Sequence, residues 1–198
     1  MLDLTRVIAG PVATRYLAGY GADVLRIDPP DWDEPALLPE TTLGKACARL
    51  DLREMARELT AEWVPKALQA GIDLGLHDAG DDAPPVVVQG HPLLVREALQ
   101  NLIDNAIRYA GSGSEVTVSV WREGASAVVQ VSDTGQGIPA DLHRAVFERF
   151  VRATHEGSGC GLGLAIVRSI AERHGGTASL AGLSPHGLQV RITLPLAR

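Results

Sequence analysis

The sequence predicts an α+β fold, a two-layer α/β sandwich with a mostly antiparallel sheet, preceded by a β-α-β-like N-terminal fragment. Three observations lead there. The runs EVTVSVW (115–121), ASAVVQVSD (125–133) and LQVRITL (188–194) alternate apolar and polar residues and read as strands with one buried face. Other stretches carry apolar residues every three or four positions and read as helices with one buried face. These strands and helices come in mixed order, which favours helices layered on an antiparallel sheet.

Length and composition bound the reading. The chain has 198 residues, 45% of them hydrophobic, enough for one good core and a smaller unit. The formal charge of −6, with no run of Lys and Arg, argues against a nucleic-acid surface. No apolar stretch approaches the ~18 residues of a membrane helix, and Asp3 and Arg6 interrupt any signal-like N-terminus. A soluble, cytoplasmic chain without a membrane segment is therefore expected. Cys47 and Cys160 have neither metal nor disulfide spacing, which suits a reducing compartment.

Taken in order, residues 1–53 predict a strand from Leu4 to Ile8, a turn at Gly10-Pro11, a helix from Val12 to Ala18 and a strand from Ala22 to Ile27. Asp28 to Pro39 is loop, and Lys45 to Leu50 a brief element. Gly44-Lys45 lacks the rest of a P-loop. Arg53 to Ala70 is helical, with Pro65 expected to end or kink it. A strand over Gly71 to Leu76, an acidic turn over Gly80 to Pro85 and a valine-rich strand over Pro85 to Gln89 follow. Gln89 to Ala110 reads as one long amphipathic helix, with Leu94, Val95, Ala98, Leu99, Leu102, Ile103 and Ala106 on its apolar face. Gly111 to Ser114 breaks it. The two valine-rich runs then form a hairpin around Glu123-Gly124. Pro139 to Phe150 is expected as a helix with Pro near its first turn, Val151 to Cys160 as a polar loop, and Gly161 to His174 as a helix ended by Gly175-Gly176.

Four patterns carry chemistry. On the long helix, Glu97, Asn101, Asn105 and Arg108 share one stripe, since residues three or four apart stack. Asn competes for backbone hydrogen bonds and is a poor helix former, so two of them suggest a ligand; a solvated polar face is the alternative. Asp133-Thr134-Gly135-Gln136-Gly137 follows a strand and offers a fixed carboxylate beside backbone without side chains, or else an ordinary D-x-G turn. Gly157 to Leu164 is glycine-rich and leads into a helix, where free N–H groups and the dipole suit phosphate oxygens. Neither a dinucleotide fingerprint nor a Walker motif fits it. Phe147 and Phe150, at i and i+3, anchor one end of a lid or pack in the core.

In this order and spacing the series resembles the ATP-binding catalytic domain of sensor histidine kinases, the Bergerat-type fold shared with gyrase-like ATPases. NLIDNAIRYA (101–110) is similar to its N box, DTGQGIP (133–139) to its G1 box, FERF (147–150) to its F box and GCGLGLAIV (159–167) to its G2 box. GLGLAIV followed by HGG points to the kinases, and the resemblance covers the chain from about Leu52 onward. It implies ATP and Mg²⁺ as cofactors. Asn105 would coordinate Mg²⁺ through its amide oxygen, with Asn101 beside it supporting phosphates or a metal-bound water. Arg108 would meet phosphate charge, and Tyr109 would pack against the nucleotide. Asp133 would accept the adenine amino hydrogen. Gly135 and Gly137 would let the loop approach the nucleotide, and Gly159, Gly161 and Gly163 would close the lid, with Ile138, Leu162 and Leu164 in the same site. Arg152 and His155 are further candidates for phosphate contact, a solvated loop face being the favoured reading for His155.

A kinase of this type phosphorylates a histidine on a two-helix dimerisation domain, in an H-E-x-x-x-P-L-like context. None of the six histidines, His77, His91, His143, His155, His174 and His186, has that context. The resemblance therefore implies no catalytic residue in this chain, a dimerisation domain acting in trans, and a response regulator reached through that domain. Related full-length kinases are usually anchored in the inner membrane.

Residues 1–53 resemble a different family, the class III CoA-transferases, through DLTRVIAGP, GADVLRI and the GK…LDLR stretch. That family's catalytic aspartate lies beyond this point, so no active-site residue is carried over. The implied organisation is a chimera: a transferase-like fragment at 1–53, a linker helix at 54–70 and the kinase-type domain at 71–198. The alternatives are a CoA-transferase-family fragment acting on acyl-CoA and a non-catalytic nucleotide-binding partner module.

Overall fold

The structure is a computed structural model that describes residues 2–3, 25–26, 48–77, 84–151 and 161–197. Strands β1 (Leu2–Asp3) and β2 (Leu25–Arg26) form a short parallel pair. β2 falls within the strand expected over 22–27; the strand over 4–8, the helix over 12–18 and the loop over 28–39 lie outside the described residues.

Strand β3 (Ala48–Asp51) leads directly into helix α1 (Leu52–Gln69). Asp51 makes the junction, because its carboxylate accepts from the Arg53 N–H at 2.9 Å and the Val86 N–H at 3.3 Å. Of the end or kink expected at Pro65, the end does not occur: helix α1 runs on to Gln69. Pro65 and Ala61, whose carbonyl loses its helical donor, both lie on the exposed side, so water can satisfy the orphan. The opposite side of α1 buries Leu52, Ala56, Leu59, Thr60 and Ala67. The segment expected as a linker is thus packed into the core shared with the rest of the domain.

Strand β4 (Asp73–His77) follows, then β5 (Val87–Gly90), which pairs antiparallel with β3. β5 takes Gln89 and Gly90 from the front of the predicted long helix, and helix α2 runs Pro92–Tyr109. Pro92 fixes this start, since a first-turn proline gives up an N–H that has no helical partner anyway. The buried face of α2 is Val95, Ala98, Leu99, Leu102, Ile103, Ala106 and Ile107. Strands β6 (Glu115–Glu123) and β7 (Ser126–Asp133) form the predicted hairpin, with Gly124 at φ +60° in its turn.

Pro139 to Phe150 is not the α-helix expected. It folds as two 3₁₀ turns, Ala140–Leu142 and Ala145–Phe147. The Leu142 N–H bonds to the Pro139 carbonyl at 2.9 Å, three residues back, while His143 Nε2 holds the Ile138 carbonyl at 2.8 Å. The chain turns between these pieces and buries both Val146 and Phe147. Helix α3 (Gly163–Arg173), strand β8 (Thr177–Gly182) and strand β9 (Leu188–Pro195) complete the domain. β8 was not foreseen; TASLAG has too few apolar residues to alternate visibly.

The sheet order is β4-β6-β7-β9-β8, antiparallel except for the parallel β4–β6 pair. Alternate residues of β6, β7 and β9, such as Val118, Val129 and Ile192, are buried in one core with side chains of the three helices. His174 joins α3 to the start of α2: its Nε2 accepts the His91 N–H at 2.9 Å, and its Nδ1 donates to the Ile170 carbonyl at 2.7 Å. That arrangement needs the neutral ring. Burial lowers the His91 pKa, and the Arg173 charge adds to the effect.

Candidate functional site

Because α2 presents a new side chain to the same direction every three to four residues, Asn101, Asp104, Asn105, Arg108 and Tyr109 all reach one side of the helix. They form one wall of a cavity of about 330 Å³. Asp133, Gln136, Gly137 and Ile138 form a second wall where β7 ends, and Gly161 to Leu164 form a third where α3 begins. Val131, Val146, Ile166, Leu188 and Val190 add apolar lining. A mostly apolar cavity with few convergent polar groups is the usual form of a small-molecule site.

Asp133 is the only carboxylate among the buried described residues, at 8% exposure. Its Oδ1 accepts the Gly135 N–H at 2.9 Å, closing an Asx turn at the strand end. Burial raises its pKa, and hydrogen bonds from the Gly135 and Leu188 backbones pull the other way. A carboxylate so desolvated gains much from a ligand N–H.

The lining from α2 is amidic and cationic as well. A Cβ on Gly163 would lie 2.9 Å from Asn105 Nδ2 and 3.2 Å from Asn101 Oδ1, so the start of α3 sits directly on the two amides and a larger residue there would displace them. Asn101 is held by its own Nδ2, which donates to the Glu97 carbonyl at 2.8 Å. Among the described residues no side chain caps the start of α3, and its first residues, Gly163 and Leu164, line the cavity, where helix N-terminal N–H groups and the positive dipole end suit an anion. Arg108 lines the cavity too, donating from Nη2 to Asp104 Oδ2 at 2.7 Å.

Of the residues expected in the site, Asn101, Asn105, Arg108, Tyr109, Asp133, Gly137, Ile138, Gly161, Leu162, Gly163 and Leu164 line this one cavity. Gly135 does not. A Cβ there would lie 2.5 Å from Ala110 Cα and 2.6 Å from its carbonyl oxygen, so glycine is needed for packing against the end of α2. Gly137, at φ +73°, likewise faces the Gly187 carbonyl, 2.9 Å from its would-be Cβ. Gly159, Arg152 and His155 lie outside the described residues. The segment holding them is bracketed by Phe150 and Gly161, both at φ +67°, with the Phe150 N–H donating to the Gly161 carbonyl at 2.9 Å. Sequence reasoning missed Asp104 and Gln136. Asp104 was detectable as a carboxylate four residues before Arg108 on the same helix, the favoured order for an ion pair. Gln136 carried no signal of its own.

Among the described residues no group of three His, Cys, Asp or Glu could hold a metal ion. Any cation here would be held by amide oxygens together with oxygens of a ligand and water.

Residues 90–198 match the model of the histidine kinase-, DNA gyrase B- and HSP90-like ATPases. The chain belongs to this ATPase family. Its relatives include the sensor protein kinase PmrB of Pseudomonas aeruginosa, 36% identical over 149 residues, covering 74% of this chain and 30% of the relative. The sensor protein IrlS of Burkholderia pseudomallei is 39% identical over 145 residues, covering 71% and 30%. The catalytic domain of the histidine kinase ThkA superposes with a TM-score of 0.67 at 25% identity, over 76% of this chain and 95% of that one. The ATP-binding domain of PrrB from Mycobacterium tuberculosis superposes with a TM-score of 0.62 at 27% identity, over 77% and 99%. The ATPase-family chain thus spans under a third of those two curated relatives and nearly all of the isolated catalytic domains. What it shares with the sensor kinases is their ATPase-type catalytic module. Residues 1–67 match the model of CoA-transferase family III, a span reaching past residue 53 into α1.

Proposed function

We propose that the α2–α3 cavity binds Mg·ATP and that the chain is the phosphoryl-donating module of a two-component sensor histidine kinase. One observation carries this reading: a single cavity is lined both by a desolvated acceptor, Asp133, and by the Asn101 and Asn105 amides that lie against Gly163 at the start of α3. A base with an exocyclic amino group suits the first, and a triphosphate the second. Asp133 takes the adenine amino hydrogen and so disfavours guanine, which offers a carbonyl there. Tyr109, 38% exposed on the rim, packs against the nucleotide, and Ile138 and Leu164 contribute apolar wall.

The donor set fits magnesium. Asn105 Oδ1 is a hard oxygen ligand, and the rest of an octahedral shell comes from phosphate oxygens and water. Bound there, the cation would supply neutralisation of the phosphate charge. The chain's own residues do the remainder: Asn101 supports the shell, Arg108 meets the phosphates, and Gly161 to Leu164 close over them. Phosphoryl transfer of this kind depends on positioning and charge rather than on a protein nucleophile. The acceptor is a histidine on a dimerisation domain outside this chain, and a response regulator receives the group from that histidine. Among the described residues no helix is long and apolar enough to cross a membrane; we assign the module to the cytoplasmic side of a larger sensor.

A second reading, acyl-CoA chemistry, is favoured only by the match over residues 1–67. We infer a junction between two family segments near residues 48–54, and expect no thioester exchange with acyl-CoA donors.

Titration with a fluorescent ATP analogue tests the main reading. Saturable binding that Mg²⁺ strengthens is expected, with Asn105→Ala losing the Mg²⁺ increment. Absence of binding, or an increment unchanged in Asn105→Ala, would refute it. Incubation with radiolabelled ATP alone should leave the chain without acid-labile phosphate.

A further inference from the structure

Asp104 presents a difficulty for an anion-binding wall. Its carboxylate lines the cavity beside Arg108, and an uncompensated negative charge there would repel a triphosphate. The fold surrounds it with two cations. Arg108 Nη2 donates to Asp104 Oδ2 at 2.7 Å, and Lys66 Nζ from helix α1 donates to Asp104 Oδ1, also at 2.7 Å. Asp104 is the most enclosed of the three, with 25% of its side chain exposed against 36% for Arg108 and 54% for Lys66. Lys66 is not loosely placed: its ammonium sits over the Trp63 ring, 4.3 Å from the centroid, and it lies in the last turn of α1, where the helix dipole favours a cation.

Counting the three charges gives the consequence. With Lys66 in place the trio is net positive; without it, Arg108 and Asp104 cancel and the wall is neutral. An Arg108 drawn toward phosphate would then leave Asp104 uncompensated. We propose that Lys66, which does not line the cavity, is an affinity- and specificity-determining residue for the phosphate tail, acting by compensating the negative charge of Asp104 so that Arg108 can serve the phosphates. It rests on the nucleotide reading above. It adds that helix α1, outside the region matched by the ATPase model at 90–198, takes part in phosphate selection.

The sign and the charge dependence follow from Coulomb's law. The pair is partly solvated, so the effect is modest and screened by salt. Lys66→Ala should weaken ATP binding roughly three- to tenfold at low ionic strength, weaken ADP less, and leave adenosine unchanged. The loss should shrink at high salt. Asp104→Asn in the Lys66→Ala background should restore most of the ATP affinity, because the charge that Lys66 compensates is gone.

Calorimetric titration of the full chain with adenosine, ADP and ATP, for the wild type, Lys66→Ala and the double variant, makes the test, with melting temperatures recorded for each. An equal loss for adenosine and ATP, no loss at all, or no recovery in the double variant would overturn the proposal while leaving the nucleotide site standing. Failure of the wild type to bind any of the three would remove the site itself.

Discussion

Asp133 shows at the scale of one residue how a binding group opposes stability. Its burial penalises the ionised form, so its folded pKa is raised above the ordinary 3.8. The protonated form is the one the fold prefers; the contribution is fully present below the ordinary pKa and lost as pH rises through the folded one. Asp133→Asn keeps an oxygen for the Gly135 N–H and removes the charge. Urea midpoints measured across the acid range should show the wild type losing stability relative to Asp133→Asn as pH rises through that window, with a constant gap above it. Gly135 carries a different lesson. It read as a glycine for ligand approach, but the atom it would strike belongs to Ala110. Gly135→Ala should lower stability by about 1–3 kcal/mol through overpacking, and any loss of nucleotide affinity should follow the lost fold in a thermal melt. Asn101 and Asn105 were legible because they contradict helix propensity in plain sight. The collision at Gly135 was not, because it joins a loop to a helix end that no local pattern brings together.

Among elements, α2 was readable from its sequence almost to its ends, since a wide apolar stripe and a polar stripe coexist over 18 residues. Its start shifted because Gln89 and Gly90 gain strand partners in β3, Arg49 and Ala48, which lie 40 and 42 residues earlier in the chain. The 3₁₀ turns over 140–147 were misread for a related reason: the bends exist to bury Val146 and Phe147 against the domain. Helix α1 reads as a connector from its place between the two family-like segments. Yet Leu59 is completely buried. Leu59→Ala should cost about 2–5 kcal/mol, read as a lower denaturant midpoint with unchanged slope; a true linker would lose almost nothing. The same helix carries Lys66 to Asp104, so its packing and its electrostatic role are inseparable.

For the molecule as a whole, one hydrophobic cluster runs from Leu50 to Leu194 and includes side chains from helices α1, α2 and α3. That cluster is what the α+β expectation amounted to, and the four boxes with their order and spacing made the site visible as well. Most of the N-terminal quarter lies outside the described residues, and a β-α-β piece of the size its sequence predicts would have too little apolar surface to close a core by itself. A fragment beginning at Ala48 should therefore unfold in a single cooperative transition with a melting temperature close to that of the full chain; a broad or strongly lowered transition would show that residues 1–47 belong to the fold. The central claim is that one cavity recognises adenine through Asp133 and the phosphates through the amides and the start of α3. Isothermal titration of the full chain with ATP and with GTP, for the wild type and Asp133→Ala in the presence of Mg²⁺, tests it most directly. Tight ATP binding, at least tenfold weaker GTP binding and loss of that preference in Asp133→Ala are the predicted results, whereas equal affinity for the two nucleotides, or a preference that survives Asp133→Ala, would contradict it.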